Sequence, residues 1–345
     1  MKHTKRMLAV LLAAALSLSL LAGCSSGEEE NQTDTEAEDT RQTVQAGYED
    51  GLTTRVAALK GPTAMGLVCL MQDNQGEDAP YQFDLYTSGD EIVPLLEQGE
   101  VDIALIPTNL AATLYQRTEG GVQVLDVNAG NVLYVVSHED SLTDLSGLVG
   151  KTVYMTGKGT SPDWTLQYLM QKGGMSEDEL TIEFKSEAAE VVSALAQDSK
   201  AAGILPQPFA TVAMMQDQEL ALNFPLENAW KEYSPDGSGI ATGVTVVRTE
   251  FAEVHPAAVA QFVLDHQQSV AAAQEDPAQA GQLIEENGIV NASVAQQVIE
   301  YFNPMVAVSG EQMQTWVAGY LEMLYEVAPD AVGGQLPDEG FYYLG

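Results

Sequence analysis

Residues 130–174 read GNVLYVVSHEDSLTDLSGLVGKTVYMTGKGTSPDWTLQYLMQKGG, and this stretch decides the fold. The run 132–136 is short, apolar and rich in β-branched residues, which favours a buried strand over a helix. Residues 151–155 predict a second strand. Residues 140–150, which lie between the two strands, are polar and rich in turn formers, and we expect them to cross between two lobes.

A glycine-rich loop follows the second strand at residues 157–162. Thr160 or Ser161 can cap the helix that begins there, and Pro162 suits its first turn. The backbone N–H groups of such a loop and of a free helix N-terminus can hold a small molecule or an anion. An ordinary strand-to-helix turn is the alternative interpretation, since such turns are common in α/β proteins.

The same order of elements occurs earlier in the chain. Residues 54–59 predict a strand, residues 60–64 form a Lys-Gly-Pro-Thr-Ala loop, and residues 65–71 predict an apolar helix. Two loops of this kind at corresponding points are more informative than one. If two lobes face each other, the two helix N-termini converge on one cleft.

Strand-like runs alternate with helical segments through the rest of the folded body. Such runs, each followed by a polar or Gly/Pro loop, lie at residues 81–86, 101–106, 121–125, 180–184, 201–205 and 220–224. Residues 228–239 predict a polar loop, and residues 255–345 predict helices that cover the first lobe. This alternation predicts an α/β fold in which each lobe holds a mixed, mostly parallel sheet flanked by helices. Ligands of such sheets bind outside the carboxyl ends of the strands.

Two β-branched runs, 132–136 and 244–247, are interpreted as paired crossings between the lobes. Two crossings make the second lobe an insertion into the first. We therefore expect lobe 2 to span residues 137–242 and lobe 1 to consist of residues 51–136 and 243–345.

Residues 1–23 have the features of a bacterial lipoprotein signal peptide. Three basic residues precede an apolar run at residues 8–21, which is too short for a comfortable membrane span. The run ends in Leu-Ala-Gly-Cys, which resembles the lipobox of bacterial lipoproteins. The resemblance implies cleavage before Cys24 and lipidation of its thiol, which anchors the protein to a membrane. A plain secretory signal is the alternative.

Residues 24–50 predict an acidic, disordered tether. The segment contains almost no apolar side chain, so it cannot bury enough surface to offset the entropy of ordering. Its like charges also extend it. We expect it to hold a folded body away from the membrane.

Composition restricts the possible partners. The chain has 14 basic and 50 acidic residues and a formal net charge of −36 at pH 7, which makes nucleic acid a poor partner. An anionic ligand would need a local positive site. The two cysteines, Cys24 and Cys69, have no disulfide framework or zinc-site spacing around them, and we expect Cys69 to pack as a small hydrophobe.

Eight motifs follow one another in a characteristic order and spacing. They are LAGC at 21–24, ALKGPTAMG at 58–66, QGEVDIALIPTNLAA at 98–112, DLSGLVGKTVY at 144–154, GKGTSPDWTLQYL at 157–169, ILPQPFATVA at 204–213, TGVTVVRTEF at 242–251 and HPAAVAQFV at 255–263. With these motifs the chain resembles the substrate-binding lipoproteins of ABC importers. It is similar to the sulfonate/nitrate/taurine and thiamine-precursor (SsuA/THI5-like) group of type-2 periplasmic binding proteins.

The resemblance implies a two-lobed Venus-flytrap fold with two crossover strands. Such a protein closes on a small solute and delivers it to a membrane permease with its ATPase, without chemistry and without a cofactor or metal. The implied solute is a small organic molecule or anion, either sulfonate-, nitrate- or taurine-like or pyrimidine-like. The implied form is a monomer, lipid-anchored on the outer face of the bacterial cytoplasmic membrane.

The candidate ligand-binding residues lie in the loops at the carboxyl ends of the predicted strands. From lobe 1 they are Lys60, Gly61, Pro62, Thr63, Ala64, Ser88, Gly89, Thr108, Asn109 and, beside the first crossing, Asn131; from lobe 2 they are Lys158, Gly159, Thr160, Ser161, Gln207 and Pro208. Backbone donors with Ser, Thr and Asn suit a carboxylate, sulfonate or carbonyl group. Four aromatic residues are candidates for stacking on a flat ring or for core packing: Tyr86, Tyr134, Trp164 and Trp230.

Three other functions fit parts of the sequence. A surface sensor would bind the same solute without transport. An enzyme on the same architecture would need a nucleophile and base in the cleft, but His138, His255 and His266 lie outside the predicted cleft loops. A metal-binding lipoprotein would need a histidine cluster, which the sequence does not contain.

Overall fold

The computed structural model describes residues 45–76, 78–235 and 237–345, except for the side chain of Glu177. The predicted signal peptide, Cys24 and the tether up to residue 44 lie outside the described residues. Within these residues, no helix has the length and apolar character needed to cross a membrane.

Strands and helices alternate through the first two thirds of the described chain, and helices dominate the last third. The strands are β1 Thr54–Leu59, β2 Tyr81–Tyr86, β3 Ile103–Pro107, β4 Val122–Gly130, β5 Leu133–Ser137, β6 Thr152–Met155, β7 Thr181–Phe184, β8 Ala202–Pro206, β9 Ala221–Pro225, β10 Ala241–Arg248 and β11 Met305–Ser309. The α-helices are α1 Pro62–Met65, α2 Val68–Asp73, α3 Gly89–Glu97, α4 Thr108–Arg117, α5 Ser161–Lys172, α6 Ala188–Leu195, α7 Phe209–Gln216, α8 Glu227–Tyr233, α9 Thr249–Val254, α10 Pro256–Glu275, α11 Pro277–Glu286, α12 Ala292–Tyr301 and α13 Gly310–Val327. Short 3₁₀ turns lie at Leu145–Leu148, Glu177–Glu179, Pro329–Val332 and Glu339–Phe341.

Two mixed sheets flanked by helices form the fold, as predicted. The first has the strand order β11-β4-β10-β3-β1-β2, and the second has the order β7-β6-β8-β5-β9. We call the parts built on these sheets lobe 1 and lobe 2. In each sheet a central strand (β1 or β6) has a parallel neighbour on either side.

The antiparallel share of both sheets is larger than the sequence pattern predicts. In lobe 1, β10 runs antiparallel to β3 and β4, and β11 runs antiparallel to β4. In lobe 2, β5 runs antiparallel to β8 and β9. A βαβ crossover makes two strands of one sheet parallel. Strands β5 and β10 each enter their sheet directly from the other lobe, without such a crossover, and they run antiparallel to their neighbours.

The chain changes sheet between the end of β4 and the start of β5. The run 132–136, which the sequence analysis assigns to lobe 1, contributes β5 to the second sheet because Leu133 to Ser137 pair with β8. The return passes through α8 to β10, which begins at Ala241. The limits of the lobes themselves stay a prediction.

Four local expectations differ from the structure. Residues 305–309, expected to lie in a helical region, form β11, which pairs with β4 at the edge of the first sheet. Residues 140–150 do not cross between lobes, because Gly150 N donates to Glu179 O at 2.6 Å within lobe 2. Residues 228–239 begin with most of α8 rather than an open loop, since Ala229 and Trp230 are buried on one face. The strand expected at 121–125 extends to Gly130.

The two lobes share one hydrophobic cluster on the side of α13. Tyr320 of α13 packs on Trp230 of α8, with ring centroids 5.9 Å apart, and Trp230 packs on Tyr168 of α5 at 5.8 Å. All three side chains are buried. The last long helix therefore packs against lobe 2, although β11, the strand that precedes it, belongs to the lobe 1 sheet.

Residues 47–50, which the sequence analysis places in the tether, contact helix α10. Gly47 N donates to Ala257 O at 3.2 Å, and the Tyr48 hydroxyl donates to Asp265 Oδ2 at 2.9 Å. The Glu49 carboxylate lies 2.7 Å from His255 Nδ1. The end of the predicted tether is thus attached to lobe 1.

Candidate ligand-binding site

The loops at the carboxyl ends of β1, β3, β6 and β8 carry most of the candidate residues, as expected for this sheet architecture. One contact joins the two lobes directly among them. Ser161, at the first residue of α5, places its hydroxyl 3.4 Å from Asn109 Oδ1 in α4. The starts of these two helices therefore face each other across the cleft.

The loop after β1 is held by its own threonine. Thr63 is only 8% exposed, and its hydroxyl donates to Leu59 O at 2.5 Å. Gly61 has φ +128°, a conformation that favours glycine, and Pro62 starts α1. The Lys60 ammonium lies near Gly288, because a Cβ built on that glycine would be 3.3 Å from Nζ.

The loops after β2 and β3 use their polar side chains mainly to hold the backbone. Ser88 Oγ caps α3 by accepting from Asp90 N at 3.2 Å, and a Cβ on Gly89 would lie too close to Leu110 Cδ2, so that leucine would have to move. The Thr108 hydroxyl is fully buried and donates to Ala241 O at 2.6 Å, which ties α4 to β10.

The glycine-rich loop after β6 satisfies much of its own hydrogen bonding. Gly159 N donates to Asp163 Oδ2 at 2.8 Å, and the Thr160 hydroxyl donates to Gly157 O at 2.5 Å. Lys158 Nζ lies 5.7 Å from the centroid of the Phe184 ring. The carboxylate of Asp163 therefore already binds one of the N–H groups that the sequence suggested for an anion.

Asn131 and Gln207 lie together at the point where the chain changes lobe. Gln207 N donates to Val132 O at 2.8 Å, and Asn131 N donates to Ile240 O at 3.2 Å. Gln207 is 1% exposed and joined by a cis peptide bond to buried Pro208. Among the described residues, neither Gln207 Nε2 nor Asn131 Oδ1 has a hydrogen-bond partner.

Asn128 is a further polar residue of this region that the sequence analysis missed. It is 1% exposed, and its Nδ2 donates to Thr245 Oγ1 at 3.2 Å. Its Oδ1 has no partner within the part of the chain that the structure describes. A Cβ built on Gly243 would lie 2.6 Å from that oxygen and 2.6 Å from Thr63 Cγ2, so Asn128 is next to the loop after β1.

Tyr320 was also missed, since it lies in a C-terminal helix far from any predicted cleft loop. Burial raises the pKa of Tyr320, whose hydroxyl is near Thr165 and Ser161 at the start of α5 but has no hydrogen-bond partner in the described part of the chain. Two of the proposed stacking residues have packing roles instead. Trp230 is buried and donates to Ser238 Oγ at 3.1 Å, and Tyr134 packs on Phe302 at 5.4 Å. Burial, followed by the nearby Glu227, raises the pKa of Tyr134 to about 12.

The basic side chains of these loops are Lys60 and Lys158, and no arginine joins them. The three arginines among the described residues bind carboxylates elsewhere: Arg55 and Arg248 bind Asp102, and Arg117 binds Glu97. The described residues contain no cluster of His, Cys, Asp and Glu that could hold a metal ion. The chemistry available in the cleft loops is therefore that of amides, hydroxyls, backbone groups and two lysine side chains.

A cavity of about 900 Å³ lies away from these loops, between residues 48–53 and helices α2 and α10. Its lining includes the acidic side chains of Asp73, Asp78 and Asp265. None of the candidate ligand-binding residues lines this cavity, so it is separate from the cleft between the loops.

Comparisons with known proteins agree with this architecture. A family model described as NMT1/THI5 like matches residues 83–280. The search of curated proteins finds no match.

Solved structures of low sequence identity share the fold. An ABC transporter protein from Parabacteroides distasonis is 21% identical, with 84% of this chain and 98% of that chain covered and a TM-score of 0.69. The periplasmic aliphatic sulphonate binding protein SsuA from Escherichia coli is 14% identical, with 84% and 92% covered and a TM-score of 0.67. The alkanesulfonate-binding protein SsuA from Xanthomonas axonopodis pv. citri, bound to MOPS, is 16% identical, with 84% and 96% covered and a TM-score of 0.57.

Proposed function

The chain belongs to the NMT1/THI5-like family, and from this premise we propose that it is the solute-binding protein of an ABC importer. The observation that carries the proposal is the contact between Ser161 and Asn109, which brings the starts of two helices from different lobes to one cleft. Loops on opposite sides of such a cleft can enclose a small solute. The fold shared with sulfonate-binding proteins supports the same function.

The proposed role is capture and delivery without chemistry. The captured solute passes to a membrane permease, which an ATPase drives. Polar groups of the cleft loops largely hold backbone or one another: Thr63 binds Leu59 O, and Thr108 binds Ala241 O. Neither hydroxyl is bonded to a base that would activate it as a nucleophile.

We place the protein outside the cytoplasm, attached to the membrane by a lipid on Cys24. Support comes from the Leu-Ala-Gly-Cys sequence at residues 21–24 and the acidic segment after it. The proposed working form is a monomer, since each chain contains both lobes of the cleft.

A thermal-shift screen tests the proposal. The full chain carrying Cys24→Ala, unfolded and refolded to remove carried-over solute, is heated with sulfonates, nitrate, taurine, amino acids or pyrimidines. A solute present at 100 times its Kd stabilises the folded state by about 2.7 kcal/mol, which gives a clear rise in Tm. We expect one chemical class to raise Tm and to lose this effect in Asn109→Trp, which fills the cleft side of α4. A class that raises Tm equally in both proteins binds elsewhere and contradicts the proposed site.

A further inference from the structure

Three buried amide atoms lie around the end of the β4–β10 pairing: Asn128 Oδ1, Asn131 Oδ1 and Gln207 Nε2. Each lacks a hydrogen-bond partner in the described part of the chain. A buried polar group without a partner costs about 1–3 kcal/mol, so three near one cleft call for an explanation.

The direction in which Asn128 points is set by a buried chain of hydrogen bonds. His266 Nδ1 lies 2.9 Å from Asp126 Oδ2, and the Thr245 hydroxyl lies 2.6 Å from Asp126 Oδ1. A carboxylate only accepts, so Thr245 must donate its proton to Asp126 and accept from Asn128. The Nδ2 group of Asn128 therefore faces Thr245, and Oδ1 is left as a fixed acceptor beside Thr63 and Gly243.

Gln207 is oriented in the same way from the other lobe. Its Oε1 accepts from the Thr211 hydroxyl at 2.9 Å and from Thr211 N at 3.3 Å. Because both of these groups donate, the amide cannot turn over without losing them. Nε2 is therefore a fixed donor.

This inference rests on the proposed function: we infer that the solute carries an N–H group that donates to Asn128 and an acceptor that receives from Gln207. The solute class is a small neutral amide, imide or ring lactam. A sulfonate, nitrate or carboxylate offers only acceptors, so it would leave Asn128 Oδ1 without a donor and oppose it electrostatically. No arginine reaches the loops from the described residues, since Arg55, Arg117 and Arg248 all bind carboxylates elsewhere.

Matched pairs of probes test this inference on the full chain carrying Cys24→Ala. The pairs are uracil and 1,3-dimethyluracil, nicotinamide and nicotinate, and methanesulfonamide and methanesulfonate, each at millimolar concentration. We expect at least one N–H-bearing member to raise Tm by about 2 °C or more while its partner does not. Gln207→Glu, which keeps the acceptor for Thr211 but loses the donor, should remove that shift.

Two substitutions separate recognition from folding. Thr245→Val breaks the chain of hydrogen bonds and frees Asn128 to turn, so it should reduce the preference for the N–H-bearing probe at least 5-fold. Thr245→Ser keeps the hydroxyl and should preserve the preference. Folding damage alone would lower Tm in both variants without changing the ratio of the two affinities.

The outcomes distinguish the inference from the proposed function. If methanesulfonate or nicotinate raises Tm as much as its neutral partner, the inference is overturned and the proposed function stands. If none of the six compounds binds and no class in the wider screen does, the proposed function fails and the inference fails with it.

Discussion

The hydroxyl of Ser161 in lobe 2 lies 3.4 Å from Asn109 Oδ1 in lobe 1, at a sequence separation of 52. Each residue belongs to the first turn of a helix that follows a strand of its own sheet. The contact therefore joins the two lobes and is a property of neither lobe alone.

We predict that Ser161→Ala weakens solute binding by about 2-fold, the lower end of the effect of a hydrogen bond of about 0.5–1.5 kcal/mol, because 3.4 Å is long for an O–H···O contact. Calorimetric titration with the compound found in the thermal-shift screen measures the change. Ser193→Ala serves as the control, because its hydroxyl bonds Ala189 O on an exposed face of α6. Equal affinities for the wild type and Ser161→Ala would show that the contact does not support closure.

Gly243 is expected to tolerate no side chain. A methyl group there would lie 2.6 Å from both Asn128 Oδ1 and Thr63 Cγ2, which are buried and cannot move away freely. We predict that Gly243→Ala lowers the free energy of unfolding by about 1–3 kcal/mol, measured by urea denaturation. Gly47→Ala is the control, with nothing within 4 Å of the new methyl and an expected change within about 0.5 kcal/mol.

The local sequence pattern was sufficient to predict several of the strands and helix starts around the cleft. The strands at 54–59 and 81–86 lie where the alternation of side chains placed them, and the loop at 60–64 joins β1 to α1. These features depend on neighbours in sequence: a glycine that adopts positive φ, a proline at a helix start, a serine cap. Fold class follows from their order along the chain.

The missed residues owe their positions to distant parts of the chain. Asn128 and Asp126 interrupt an apolar strand, so the predicted strand ended at residue 125, whereas β4 continues because Thr245 and His266, more than 100 residues away, hydrogen bond to them. Tyr320 reaches Ser161 only through the packing of α13 on α5. Nothing in the local sequence of α13 distinguishes it from other covering helices.

We expect the Asp102 carboxylate to make the free energy of unfolding depend on pH in the acidic range. Burial alone would raise its pKa, but hydrogen bonds from Arg55 and Arg248 lower it below the usual value. A lowered carboxyl pKa contributes stability above the unfolded-state value of about 3.9, and this contribution is lost as pH falls through the folded-state pKa. We predict that Asp102→Ala costs about 1.5–3 kcal/mol at pH 7, because two guanidinium groups lose a charged hydrogen-bond partner while Arg55, 41% exposed, keeps its contact with water.

Urea denaturation of both proteins between pH 7 and pH 2.5 measures this link. The difference between the wild type and Asp102→Ala should be constant above about pH 4 and shrink below it. Arg117→Gln is the control, since Arg117 and Glu97 form an exposed ion pair worth about 0–1 kcal/mol. A difference that grows as pH falls would contradict the assignment.

The Asp265 carboxylate accepts hydrogen bonds from two tyrosine hydroxyls, one buried and one exposed. Tyr81 is 3% exposed and donates to Oδ2 at 2.7 Å, while Tyr48 is 60% exposed and donates at 2.9 Å. Burial, and then the bond to Asp265, raises the pKa of Tyr81. We predict that Tyr81→Phe lowers the free energy of unfolding by about 1.5–3 kcal/mol and Tyr48→Phe by less than about 1 kcal/mol, measured by urea denaturation. The reverse order would show that residues 47–50 contribute more to the fold than their exposure indicates.

The last prediction concerns the membrane anchor proposed at Cys24. Cys24→Ala should move the protein from the membrane fraction to the soluble fraction, because no other lipidated thiol would hold it there. Cys69→Ala is the matched control: burial raises the pKa of the Cys69 thiol, which keeps it protonated and a poor nucleophile, so this variant should stay with the membrane. Fractionation in high salt, followed by intact mass measurement, separates a covalent lipid from electrostatic adsorption. If Cys24→Ala stays in the membrane fraction, or if the wild type carries no added lipid mass, the proposed anchor is wrong.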